Sequence, residues 1–397
     1  MRENHRLALL LIFAALAIIL ALGLSACTGA ATETTTAEVP PTEEPAQEET
    51  ATEIPTTEEP AGDGNLLILE WSGYEATEFP YFFGSFTEKY TDTLSDTLDY
   101  SFFAEDAEAL AKMQTGFEAD LVHPCNSWWQ LYVDAGLVQP IDTSRLSNWS
   151  GVHPDLAAMG QFDGQQYFVP WDWGYESILV RTDLVEEVPD SWTDLWDPQY
   201  TEHVVLWDSA EANFMMTALS LGFDPANTTP EQDEAVKQKL LELKPNLFTY
   251  WADYTDAYGL AQEGDAWLLA NVWQDAFAFV DSEGFEVEYI QPEEGRLGWV
   301  CGYGIGAGLS GADLDLAYEF LDSGIEPESM AALANTYWYG AANVDAIPLI
   351  DEYVVDFMQL DQIDTLTERT VFYQPLTEEQ RQIRTSIWDE VKVGLAE

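Results

Sequence analysis

Four stretches of this chain set aromatic rings beside carboxylates. Trp71 and Tyr74 follow the apolar run Leu66 to Leu69, and Trp171-Asp172-Trp173 follows Tyr167 to Pro170. Asp208 and Glu211 follow His203 to Trp207, and Trp273-Gln274-Asp275 follows Leu268 to Val272. The face of an aromatic ring attracts an ammonium group by about 0.5 to 2 kcal/mol, and a carboxylate accepts its N–H donors in charge-assisted hydrogen bonds. The chemistry suited to this pattern is therefore capture of an organic cation. Ordinary roles compete with that reading. Most tryptophans build cores and rims, and Asp208-x-x-Glu211 equally suits a capping box opening a helix through Met216.

Other chemistries find less support. The four histidines, His5, His123, His153 and His203, form no HExxH pair, and none sits beside a serine in a nucleophile elbow, so each reads as solvated or structurally satisfied. Gly306-Ala307-Gly308-Leu309-Ser310-Gly311 fits GxGxxG, yet Asp313 and Asp315 stand where a pyrophosphate would dock. Those glycines read instead as a strand whose missing side chains permit close approach. Cys27, Cys125 and Cys301 lack the spacing of a zinc site. No cofactor, no metal and no catalysis are expected; the enzymatic alternative is a glycosidase-type pair of cleft carboxylates.

The positioning elements follow from periodicity. Short apolar runs, Leu66 to Leu69, Ala119 to His123, Ser177 to Val180, His203 to Trp207, Leu268 to Val272 and Phe285 to Ile290, read as strands. Between them, Ala104 to Gln114, Glu231 to Leu243, Asp313 to Leu321 and Thr377 to Leu395 read as helices, and Thr229-Pro230-Glu231-Gln232 carries helix-opening residues. The alternation predicts an α/β architecture with mostly parallel sheets, which bind ligands at the carboxyl ends of their strands.

Charge and composition narrow the setting. The 397 residues carry 14 Lys+Arg against 72 Asp+Glu, a net charge of −58, which excludes a nucleic-acid partner. With 47% hydrophobic residues the chain still has material for a core. Residues 1–26 read as a signal peptide, with Arg2 and Arg6 ahead of an apolar run from Leu7 to Leu24. The run ends in Leu24-Ser25-Ala26-Cys27, which resembles the lipobox of bacterial lipoproteins and implies a lipid on Cys27; a plain transmembrane anchor is the alternative. Residues 27–64 read as an acidic Thr/Glu/Pro tether. Residues 65–397 keep 61 acids and 12 bases and are long enough for two lobes. In an exported chain Cys125 and Cys301 are either a disulfide or two isolated thiols.

Five segments, Glu70-Trp71-Ser72-Gly73-Tyr74, Asp120 to Pro124, Val169 to Gly174, Ser191 to Trp196 and Val272 to Asp275, resemble in order and spacing the landmarks of spermidine/putrescine-binding proteins of ABC importers. That resemblance implies a two-lobe periplasmic-binding-protein-like fold of type II. Lobe 1 would take residues 65–172 plus about 275–322, and lobe 2 residues 173–274 plus about 323–397. It also implies a monomer that is lipid-anchored outside the cytoplasmic membrane or periplasmic, delivering a polyamine to a permease. Carried over, Trp71 and Tyr74 are the first-lobe aromatics, Asp208 and Glu211 the second-lobe acids, and Trp273 with Asp275 the central aromatic and ammonium-binding acid. Trp251, Trp299, Tyr303 and Tyr339 are further walls. This chain departs from the family at Gly73, at Cys125 with Asn126 after it, and at Asp172, so its ligand preference could differ. A sugar, thiamine or ferric iron is the rival ligand on the same fold.

Overall fold

In the computed structural model, which describes residues 64–393 apart from 253 and 283, the apolar runs assemble into one curled sheet. The signal peptide, Cys27 and the tether lie outside the described residues. β1 (Leu66–Trp71) pairs in parallel with β2 (Leu98–Phe103) and β3 (Leu121–Val122). Two long strands, β4 (Val169–Arg181) and, later in the chain, β8 (Arg296–Gly306), cross from this half to the next. The second half holds β5 (Val204–Trp207), β6 (Leu247–Trp251) and β7 (Leu268–Trp273), with β5 paired in parallel to both neighbours. Among the described residues the main path runs β2-β1-β3-β8-β4-β7-β5-β6.

The pairs that join the halves, β3 to β8, β8 to β4 and β4 to β7, are antiparallel. The chain crosses outward on β4 and returns on β8, so the expected parallel pairing holds within each half but not between them. Every residue of β4 is buried, as is every residue of β8. Strands covered on both faces lose the apolar-polar alternation that marks strand ends. Trp171-Asp172-Trp173, expected to follow a strand, therefore lies inside one.

Helices cover both faces: α1 (Asp106–Gln114), α2 (Ala210–Ser220), α3 (Pro230–Leu243), α4 (Tyr254–Glu263), α5 (Gln274–Ser282), α6 (Gly311–Gly324), α7 (Pro327–Tyr337) and α8 (Glu378–Val393). Thr229 and Gln232 cap α3 reciprocally, with Pro230 at its first position, as expected. α2 is capped by Ser209, which accepts from the Ala212 N–H, and not by Asp208.

One apolar cluster runs from β1 to β3, α6 and α7 through to Val205 of β5, Trp251 of β6 and Leu269 and Val272 of β7, and a second gathers the alternate residues of β5 and β7 with α2, α3 and α8. The expected division near residue 322 separates α7 from the elements that it packs against. The Gly84 N–H donates to Ser329 Oγ at 2.9 Å, and Tyr337 Oη donates to the Gly73 carbonyl at 2.6 Å, so α7 belongs with the first half. Cys125, on the loop after β3, is disulfide-bonded to Cys301 on β8. The β8 glycines serve packing: a Cβ on Gly302 would meet the Val169 carbonyl, and one on Gly304 the Trp129 ring.

Candidate functional site

The first half contributes a row of polar side chains. Glu70 is the fifth residue of β1, and the turn after that strand delivers Tyr74; β3 leads directly into His123; β4 supplies Asp172 and β8 Tyr303. Their polar atoms meet in sequence. Tyr303 Oη donates to Glu70 Oε2 at 2.6 Å, Glu70 Oε1 meets His123 Nδ1 at 2.6 Å, and His123 Nε2 meets Asp172 Oδ1 at 3.1 Å. Tyr74 Oη then donates to Asp172 Oδ2 at 3.2 Å. Glu70 and His123 are fully buried and Asp172 is 2% exposed, so these groups interact in a low-dielectric setting. Burial opposes a charge on His123, but the carboxylates of Glu70 and Asp172 outweigh it and push the imidazole up to about 10.

The second half contributes an indole cage. Trp207, Trp251 and Trp273 end the adjacent strands β5, β6 and β7, with Trp207 and Trp251 in register. Their ring centroids are 5.7, 5.3 and 6.0 Å apart. A bulge in β7, where Asn271 adopts a positive φ, brings Trp273 opposite Glu176 of β4. Two residues after Trp273, Asp275 occupies the first turn of α5, where peptide dipoles favour a carboxylate. Burial pushes that carboxyl up to about 6, against the Ala276 N–H and the Tyr258 hydroxyl at 3.4 Å. Glu176, fully enclosed, is pushed up to about 8 by burial despite the Tyr373 hydroxyl at 2.5 Å.

Tyrosines join the two groups. Tyr337 lies 5.6 Å from both Tyr74 and Tyr339, and Trp299 packs edge-on to Tyr339 at 5.0 Å. The Tyr339 phenol is held well above its ordinary value by burial, then by Asp275 and Asp172, so its ring feels both acids. At Gly174 a Cβ would collide with the Gln274 amide and the Trp299 indole, so only glycine lets these two meet across β4. Among the described residues, the ring N–H groups of Trp251 and Trp299 and the Gln274 Nε2 are buried without a protein acceptor.

The other expected site residues are placed differently. Asp208 accepts from Trp388 Nε1 at 2.6 Å and from Lys392 Nζ at 2.9 Å. Glu211 faces Arg381 at 3.3 Å and Arg384 at 3.8 Å. Both acids sit at the start of α2 and turn toward α8, which neutralises them; the expected joint ammonium site of Asp208 and Glu211 is not assembled. Asn126 spends its amide on the Tyr373 carbonyl and the Val300 N–H, a structural use. The Trp71 ring packs 4.4 Å from Phe103 while its Nε1 donates to the His123 carbonyl at 2.8 Å, leaving it half-buried beside the row.

Glu70, His123, Trp207, Glu176 and the linking Tyr337 are groups at the site that escape sequence reasoning. Glu70 and His123 lie within segments already singled out, Glu70-Trp71 and His123-Pro124, but their partners are distant in sequence. Trp207 was read only as a strand end. Glu176 lies within β4, where burial on both faces hides any pattern.

A family model described as bacterial extracellular solute-binding protein matches residues 85–356. The spermidine/putrescine-binding periplasmic protein of Escherichia coli K12 is 27% identical over 272 residues, 68% of this chain and 77% of that protein. A putrescine/agmatine-binding protein of Pseudomonas aeruginosa is 26% identical over 349 residues, 82% of this chain and 91% of that protein. The structure of a spermidine/putrescine ABC transporter substrate-binding protein from Streptococcus pneumoniae aligns with a TM-score of 0.69 and 22% identity, covering 83% of this chain and 98% of that one. That structural likeness agrees with the two-lobe periplasmic-binding-protein-like fold expected from the sequence.

Proposed function

Because the chain belongs to the bacterial extracellular solute-binding proteins, we propose that it is the capture component of an ABC importer and that its ligand is a linear polyamine, putrescine or spermidine. The carrying observation is the cage of Trp207, Trp251 and Trp273 with Asp275 two residues beyond it. Methylene chains lie on indole faces, and the adjacent carboxylate takes an ammonium. Tyr74, Tyr339 and Asp172 provide the opposite wall, with Tyr303 buried behind it. Trp71 and Trp299 flank it. The curated relatives named above for putrescine support the same reading.

The work is binding without chemistry. Closure of the halves strips water from the amine and presents the closed surface to the permease. A lipid on Cys27 holds the protein, as a monomer, at the outer face of the cytoplasmic membrane, with residues 28–64 as spacer. A thermal-shift panel tests the ligand: putrescine and spermidine raise the midpoint, whereas maltose, thiamine and ferric citrate do not. A shift with maltose alone replaces the polyamine by a sugar.

A further inference from the structure

The row running from Tyr303 to Tyr74 has a definite protonation pattern, readable from its donors and acceptors. Glu70 receives the Trp71 N–H at 2.9 Å and the Tyr303 hydroxyl at 2.6 Å, besides facing His123. Asp172 faces His123 with one oxygen and receives the Tyr74 hydroxyl with the other. Apart from His123, whose ring roles depend on its protonation, every neighbour named here donates to the two acids, which is the environment of a carboxylate acceptor. An imidazole with an acceptor on each nitrogen must then carry two N–H bonds and a positive charge. The Tyr303 ring stacks on it at 4.2 Å and Trp171 meets it edge-on at 5.3 Å. Asp106 of α1 is a further acid whose charge couples to His123.

We propose that Glu70, His123 and Asp172 form one charge-setting unit: an imidazolium clamped between two carboxylates fixes this wall of the cleft at one net negative charge and holds Asp172 toward Tyr74, where it takes one ammonium group. The inference rests on the amine-binding reading above. His123 is a positioning residue that acts through Asp172. Without His123 two buried carboxylates would face each other, and one would take up a proton to relieve the repulsion. Without the Glu70 charge, Asp172 alone would support the imidazolium against burial, and His123 would titrate near neutrality, around its ordinary value of roughly 6.5.

The unit's charge can therefore be counted through ligand affinity. In Glu70→Gln it is zero at pH 6 and minus one at pH 8.5, whereas in the double variant Glu70→Gln/His123→Asn it is minus one at both. Putrescine titrations by calorimetry at pH 6 and 8.5 compare each variant with the wild type, so that titration of Asp106, raised to about 7, and of Asp275 and Glu176, all present in the three proteins, largely cancels in the ratio. A unit charge a few ångströms from the ligand in a partly wet cleft is worth roughly tenfold or more in affinity. The expected result is that Glu70→Gln binds at least about tenfold more weakly than wild type at pH 6, that this deficit shrinks to about threefold at pH 8.5, and that the double variant binds more tightly than the single one at pH 6. A pH-independent deficit, or a double variant weaker than the single one, overturns the charge-setting role, since a merely structural row gives those outcomes. Nitrogen NMR of the wild-type imidazole at pH 8.5 reads the unit without any variant or ligand: two protonated ring nitrogens are expected, and a neutral ring overturns it. No heat with wild-type protein overturns the amine reading instead, while the NMR result still decides the imidazolium.

Discussion

Asp275→Asn removes the central carboxylate while keeping its shape, and the structure sets the size of the effect. Burial pushes this carboxyl up to about 6, so roughly nine tenths of it is ionised at pH 7 and one tenth at pH 5. An aliphatic ammonium, titrating near 10 like a lysine, stays charged throughout. Wild-type affinity for putrescine should then fall roughly tenfold, about 1.3 kcal/mol, between pH 7 and pH 5, because binding must first expel a proton. Glu176, pushed up to about 8, stays mostly protonated over that interval and does not imitate the effect. In Asp275→Asn the buried ammonium loses its charged partner, a loss of about 2 to 5 kcal/mol, or at least roughly thirtyfold at pH 7. The fall toward pH 5 should vanish with it. Calorimetric titration of both proteins at pH 5, 6 and 7 measures both quantities. A variant within threefold of wild type at pH 7, or one that keeps the same pH dependence, refutes the role given to Asp275.

Three further outcomes follow from the packing. Asp208→Asn should leave putrescine affinity within about threefold and lower the thermal midpoint only slightly, since its pair with Lys392 is a third exposed and screened; a tenfold loss of affinity would return Asp208 to the ligand. Reducing the Cys125–Cys301 bond, which spans 176 residues, should cost about 2 to 5 kcal/mol of stability, read as a lower denaturation midpoint in dithiothreitol; an unchanged midpoint contradicts this. Asp106, Asp275, Glu176 and His123 are all raised in the fold, to about 7, 6, 8 and 10. The folded state therefore binds more protons than the unfolded chain, and stability should fall as pH rises. The His123 share is fully present below roughly 6.5 and lost through about 10; thermal scans from pH 5 to 9 with a midpoint that climbs toward alkali would contradict the sign.

The strands that deliver the site were legible because Leu66 to Leu69, His203 to Trp207 and Leu268 to Val272 are apolar runs with a tryptophan at or just beyond the end. The neighbouring positions of Trp273 and Asp275 could be read for the same reason: the strand that ends and the helix that begins are adjacent in the chain. The ion pairs of Asp208 and Glu211 were not legible because the face that α2 presents is decided by α8, about 170 residues further on, whose Arg381, Arg384 and Lys392 receive both acids. His123 looked like an isolated histidine because Glu70 and Asp172 stand 53 and 49 residues away. Local periodicity carries no record of a three-strand meeting of that kind. Trp171 to Trp173 was placed after a strand because β4 is buried on both faces and offers no alternation to mark its end.

The bond between Cys125 and Cys301 also changes what a protease can do to this molecule. All of β4 to β7, with the Trp207, Trp251 and Trp273 cage, lies on the stretch of chain that the two cysteines close into a covalent ring. Glu186, Glu187 and Val188 form an exposed segment of that ring. A single cut there opens the ring but releases nothing: both products stay joined through sulfur and run as one species until a reductant is added. For an exported protein, one nick in this region leaves the cage attached to the rest of the chain.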